Sequence, residues 1–243
     1  MAAIDPVFAD WFLKSVDDYD NYGVHLLFNE WWDKAPQDAI DKYVAAIADH
    51  FEQGPLAREG WFAEPPEMNR LKAYGPATLG AAYYRFIVDN KLEARLAVGY
   101  RELHEDMQRD GKLERMPALL QYKVLRGYQT HDLHHVLTGY AAEPFGELAL
   151  QAFGLAQMKY PYAAMWIAVV TAHMTFLDPD LLEPAMEAIV DGWTYGKAAR
   201  NIQFVKFEQQ LDRPLRDVQI EYGLYPRCLV SDARSETPIL KIA

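Results

Sequence analysis

Residues 116–148 read MPALLQYKVLRGYQTHDLHHVLTGYAAEPFGEL. Leu119, Leu120, Tyr122, Val124, Leu125 and Tyr128 recur at helical spacing, Pro117 stands at the head of the run, and Gly139 occupies the place of a helix C′ residue. The pattern predicts one long helix over 116–138, with Gly127 as its weakest position. After the break at 139–144 a second helix starts at Pro144 and runs through LALQAFGLAQM. His131, Asp132 and His135 lie on the last two turns of the first helix. At 100° per residue the two imidazoles are about 40° apart and Asp132 about 60° beyond His135, so three ligand-type side chains share roughly a 100° arc. Eleven residues separate His135 from Glu147. That acid falls in the first turn of the second helix, where an antiparallel return can bring its carboxylate against the His–Asp–His face.

Two imidazoles and one or two carboxylates form a donor set for a divalent cation, Zn²⁺ first, with Fe²⁺, Mn²⁺ and Mg²⁺ as alternatives. Each member also has an ordinary reading. His134 suits the negative end of a helix dipole and is left out of the set. Glu147 suits a helix first turn, and Asp132 could pair with Arg126 or Lys123. The joint occurrence at ligand spacing distinguishes the metal reading from these.

Working outward, the chain reads as helices. Ile40, Tyr43, Val44, Ile47 and Phe51 place an amphipathic helix over 36–53, after which the Pro- and Gly-containing stretch 54–77 reads as a surface loop. Further helices are predicted from Thr78 through LGAAYYRFIVDN, over 92–107, and once or twice over 184–211. Residues 160–177 (YPYAAMWIAVVTAHMTFL) are 18 positions without a formal charge. That is the edge of membrane-span length, but Pro161 and His173 interrupt it and the mean hydropathy of the chain is −0.22. A buried core helix is the expected role, with the wall of a lipid cavity as the alternative. No hairpin turn sits between alternating runs, since the Asp-Gly pairs at 110–111 and 191–192 lie in charged or helical contexts. The expectation is an all-α, single-domain multi-helix bundle over residues 1–243, with a helix-turn-helix metal site and an apolar cleft.

Composition narrows the function. The chain has 243 residues, 51% of them hydrophobic and 13% aromatic, enough for a large core. A net charge of −11 argues against a nucleic-acid partner, which needs a basic field. Cys228 is the only cysteine, which excludes thiolate zinc sites, iron–sulfur clusters and intramolecular disulfides. The N-terminal segment carries acids where a leader would carry Lys or Arg, so no targeting peptide and a bacterial cytoplasmic location are expected.

The segment HDLHHVLTGYAAEPFGE fits HDxxH-x11-E and resembles the signature of the coenzyme Q (ubiquinone) biosynthesis family Coq-four, a helical metal-binding family. GPATLGAAYYRFI, YKVLRGYQTHD and FEQQLDRPLRDVQIEYGL resemble other segments of that family, so the likeness spans about residues 75–225. This leaves a variable N-terminal region over 1–74, a family-like core over 75–227 and a C-terminal tail over 228–243. The resemblance implies that His131, Asp132, His135 and Glu147 are metal ligands. It also implies removal of the C1 carboxyl group of a polyprenylated 4-hydroxybenzoate with oxidation of that carbon, in company with other ubiquinone biosynthesis enzymes and at the inner face of the membrane. A noncatalytic prenyl-lipid-binding scaffold for those enzymes is the alternative. An HD-type phosphohydrolase is disfavoured, because nothing marks the upstream His and distant Asp that class uses.

For such a substrate, Arg126 and Lys123, roughly one and two turns before His131, are candidates to pair with its carboxylate, solvated helix charges being the other reading. Arg126 is counted with the catalytic set. Tyr83, Phe86, Tyr160, Met165, Trp166 and Val169 could line a prenyl groove, though packed core is the commoner fate of such residues. Membrane contact is expected to be peripheral, through an apolar patch among Trp11, Phe12, Trp31 and Trp32, which could equally be core. A homodimer is the base-rate oligomer.

Overall fold

The computed structural model describes residues 4–19, 21–94, 105, 108–111 and 114–225. Among them the secondary structure is helical, with one isolated antiparallel bridge between Thr78 and Pro214. In chain order the α-helices are α1 Pro6–Asp17, α2 Val24–Lys34, α3 Gln37–Ala48, α4 Gln53–Glu59, α5 Met68–Lys72, α6 Leu79–Asp89, α7 Ala118–Thr138, α8 Pro144–Met158, α9 Pro161–Leu177, α10 Leu182–Ala198 and α11 Leu215–Tyr222. Short 3₁₀ turns occupy Pro179–Leu181 and Phe207–Gln210. The expected all-α class is what the structure has. Most of the helix predicted over 92–107 and all of the tail from 228 lie outside the described residues.

One reading changes. The expected loop over 54–77 contains the helices α4 and α5, because Gly54 lets the chain fold straight back on α3: a Cβ there would stand 2.4 Å from the Ala48 carbonyl oxygen. The N-terminal region supplies two regular helices, α1 and α2. Asp5 caps α1, its Oδ1 accepting from the backbone N–H groups of Val7 (3.0 Å) and Phe8 (3.2 Å), which satisfies donors that the helix leaves open.

The chain gathers into two compact units. Within residues 1–46 and 143–197, α9 packs against α1, α2 and α8. Trp166, Val169, Val170 and Met174 of α9 are buried, and Phe28 of α2 makes edge contacts with Trp32, Tyr160 and Tyr162 at ring separations of 5.2, 5.6 and 5.3 Å. The uncharged stretch is thus a core helix. Among the described residues no helix is long and apolar enough to cross a membrane. Trp32 belongs to this core and Trp31 stacks edge-on against it, while Trp11 and Phe12 are half-buried, so these four do not form an open apolar patch.

Within residues 47–142 and 198–228, α7 packs against α4, α6 and α11. Its buried positions are largely polar: Lys123, Arg126, Thr130, Asp132, His134, His135 and Thr138. Several have partners that anchor neighbouring segments. The Tyr122 hydroxyl donates to the Trp61 carbonyl (2.8 Å), Gln129 exchanges two hydrogen bonds with the Ala63 backbone, and the Gln219 side chain reaches the Leu137 carbonyl (3.0 Å). Thr78 caps α6 through the Ala81 N–H (3.2 Å).

Candidate metal centre

The chain break that makes the site is local. Helix α7 ends where Gly139 takes φ +83°, and its N–H bonds to the His135 carbonyl (2.8 Å). A side chain other than glycine would be strained in that left-handed position. Five residues later Pro144 opens α8, which puts Glu147 in its first turn, with its N–H on the Glu143 carbonyl (2.8 Å). His131, His135 and Glu147 each offer one ligand atom, and the three atoms lie within 4.8 Å of one another.

The two imidazoles face each other through their Nε2 atoms at 3.1 Å, with their rings nearly perpendicular. Two nitrogens bound about 2.0–2.1 Å from one Zn²⁺ at a tetrahedral angle lie about 3.3 Å apart, so the pair is spaced as ligands of a single cation are. His135 is almost fully buried, and its Nδ1 lies 3.0 Å from the Tyr140 carbonyl oxygen. A carbonyl can only accept, so Nδ1 carries the proton and the Nε2 lone pair points at the site. Phe86 of α6 stacks on the His135 ring (5.3 Å between centroids, 19° between planes) and holds it in orientation. His131 is partly open to solvent, whereas His135 and Glu147 are buried. Three protein ligands with one accessible side match a cation that keeps coordination positions for something else. The donor set therefore fits a divalent metal.

Asp132 does not join the group. It is buried, and as the next residue after His131 it is turned about 100° around the helix from that imidazole. His134 faces the Phe207 ring edge (6.4 Å) on another side of α7, and its Nε2 makes no hydrogen bond. Burial, reinforced by Lys123, His131, Arg126 and His135, pushes its pKa well below the ordinary imidazole value, so it is neutral and structural.

The expected carboxylate-binding cations have protein partners. Arg126 is fully buried: its Nη2 donates to Glu208 Oε2 (2.8 Å) and to the Val205 carbonyl (2.8 Å), and Nη1 donates to Gln129 and Glu208. Lys123 donates to Gln203 Oε1 (2.9 Å), and burial, then Arg126, lowers its pKa to about 8. Of the expected groove residues, Phe86 stacks on His135. Tyr83 is buried, Trp166 is buried with its ring edge-on to Tyr19 (6.5 Å), Tyr160 and Val169 are core positions, and Met165 is half-buried on α9. The sequence reading missed Tyr140, whose contribution is a backbone carbonyl and so leaves no side-chain signal. It also missed Glu208 as the partner of Arg126, 82 positions away.

Fold and site together define an all-helical protein with a two-histidine, one-carboxylate group on a helix–break–helix. The sequence pattern of the family described as coenzyme Q (ubiquinone) biosynthesis protein Coq4 matches residues 63–227. The chain belongs to that family, and its role lies in ubiquinone biosynthesis. A crystal structure of a candidate ubiquinone biosynthesis protein from Nostoc punctiforme has the same fold, with a TM-score of 0.66 and 21% identity over 89% of this chain and 94% of that one. No curated protein matches the sequence.

Proposed function

We propose that this chain is a metal-dependent enzyme that removes the C1 carboxyl group of a polyprenylated 4-hydroxybenzoate and leaves a hydroxyl on that carbon. The observation that carries the reading is the convergence of His131, His135 and Glu147, with His131 reachable from solvent. A divalent cation held by these three, Zn²⁺ being the first choice, would supply Lewis-acid stabilisation of the negative charge that develops on the ring as CO₂ departs. The protein's own groups do the rest. Tyr140, through its carbonyl, fixes the tautomer of His135, and Phe86 holds the ring plane. Arg126 and Lys123 position the segment 203–208 against α7. Hydroxylation of the carbon requires an external two-electron oxidant, which these side chains do not supply. Because the substrate is dissolved in lipid, the enzyme works in peripheral contact with the inner face of a bacterial membrane, alongside other ubiquinone biosynthesis enzymes.

One observation favours a second reading, a prenyl-lipid-binding scaffold: both cations that could receive the substrate carboxylate are engaged by the protein. Purified protein given a short-chain prenylated 4-hydroxybenzoate separates the two. The enzyme releases CO₂ only with metal bound, and Glu147→Gln lowers metal content from about one ion per chain toward zero and abolishes release. A Glu147→Gln protein that has lost its metal yet still restores ubiquinone in a deficient strain would establish the scaffold.

A further inference from the structure

Helix α10 packs through one face and leaves the other open. On the packed side, Gly192 and Gly196, one turn apart, lie directly on α8. A Cβ on the first would stand 2.0 Å from the Ala149 carbonyl oxygen, and on the second 2.5 Å from that of Phe153. On the open side Met186, Val190 and Trp193 follow one another at i, i+4 and i+7, with 45%, 58% and 42% of their surface exposed. Glu183 and Lys197, both exposed, border them. At 100° per residue these five side chains share an arc of about 80°.

The charges are placed symmetrically about the apolar stripe. Glu183 lies seven residues before Val190 and Lys197 seven residues after it. A helix dipole alone favours an acid at the start and a base at the end of α10, but it does not require both to border the apolar stripe. Two copies of α10 laid antiparallel across a two-fold axis at Val190 put Glu183 of each copy against Lys197 of the other, with Val190 meeting itself. A parallel pairing would oppose Glu183 with Glu183 and Lys197 with Lys197. Phe176 and Leu177, exposed at the end of α9, extend the apolar surface beyond the start of α10, since α9 contacts the 3₁₀ turn that leads into it. Exposed Asp180 and Glu187 beside the stripe, together with the net charge of −11, disfavour an anionic bilayer as the occupant.

We propose that this face of α10 is an isologous homodimer interface, two antiparallel copies of the helix crossing at Val190 and closed at both ends by Glu183–Lys197 pairs. The test is sedimentation equilibrium of the full chain. Wild type associates to a dimer at or below about 100 μM, and Val190→Arg, which sets two guanidinium groups at the axis, weakens association roughly 100-fold or more. Glu183→Lys and Lys197→Glu each weaken it by roughly 3- to 10-fold, while an equimolar mixture of those two variants forms a heterodimer of about wild-type affinity, because every end then pairs opposite charges. All three positions are exposed, so thermal melts confirm that the variants remain folded. Monomeric wild type at that concentration overturns the proposal. So does a dimer indifferent to Val190→Arg, or a mixture no tighter than its components. Monomeric protein that binds phosphatidylcholine vesicles in a Val190-dependent way overturns it too, and assigns the face to lipid.

Discussion

Helices α7 and α9 are both largely buried, and they achieve it by opposite chemistry. α9 contains no Asp, Glu, Lys or Arg, and it is surrounded by apolar and aromatic side chains from α1, α2 and α8. α7 buries a lysine, an arginine, an aspartate and two histidines within 21 residues. Burying an apolar residue gains roughly 25 cal/mol per Å² wherever it lands, so α9 needs only company. Burying a polar group costs several kcal/mol unless a partner is in place, so α7 needs particular neighbours at particular distances. A helix held in that way fixes its side chains closely, which is what a metal site asks of its support.

That contrast can be broken first at its strongest points. Trp166→Ala on α9 and Arg126→Met on α7 are each expected to cost about 3–5 kcal/mol in urea unfolding, the first through a cavity and the second by leaving the Glu208 carboxylate buried beside an apolar chain. The double variant Arg126→Met, Glu208→Gln should recover at least about 1 kcal/mol of the second loss, because it removes the unpaired charge. If the double variant is as unstable as the single, the burial of Arg126 is not electrostatic in origin.

A smaller effect sharpens the comparison by pH. The Lys123 pKa falls from 10.5 toward about 8 in the folded chain, so between those values the unfolded state holds a proton that the native state has released. Stability therefore rises with pH across that window, by at most about 3 kcal/mol, and the gain is absent below pH 8, where both states are protonated. Tyr122, whose pKa is pushed up to about 12, chiefly by burial, works the other way above pH 10, so the rise is clearest between 8 and 10. Lys123→Met should flatten the profile in chemical unfolding measured at pH 8 and pH 10. The smallest effect is Tyr122→Phe, which removes one hydrogen bond to the Trp61 carbonyl and should cost about 1 kcal/mol by the same measurement.

How much was legible follows the same division. The boundaries of α7 and α8 stood in the sequence because Pro117, Gly139 and Pro144 restrict the backbone locally, and the histidine pair followed from helical spacing. The helicity of α4 and α5 did not, since proline and glycine there mark a close return on α3 as readily as a loop. Arg126 and Lys123 looked like open cations one and two turns from the histidines. Their partners Glu208 and Gln203 are 82 and 80 positions away, and no local pattern announces them.

From the sequence alone came the helical class, the start and stop of the two helices around residue 139, and the identity of the metal-type donors, because these depend on backbone preference and on a 100° step. Which donors converge, which cations are already engaged and which face of α10 stays open were decided only by tertiary packing. Each of those outcomes depends on distances between side chains far apart in the chain, and a linear order of residues does not contain them.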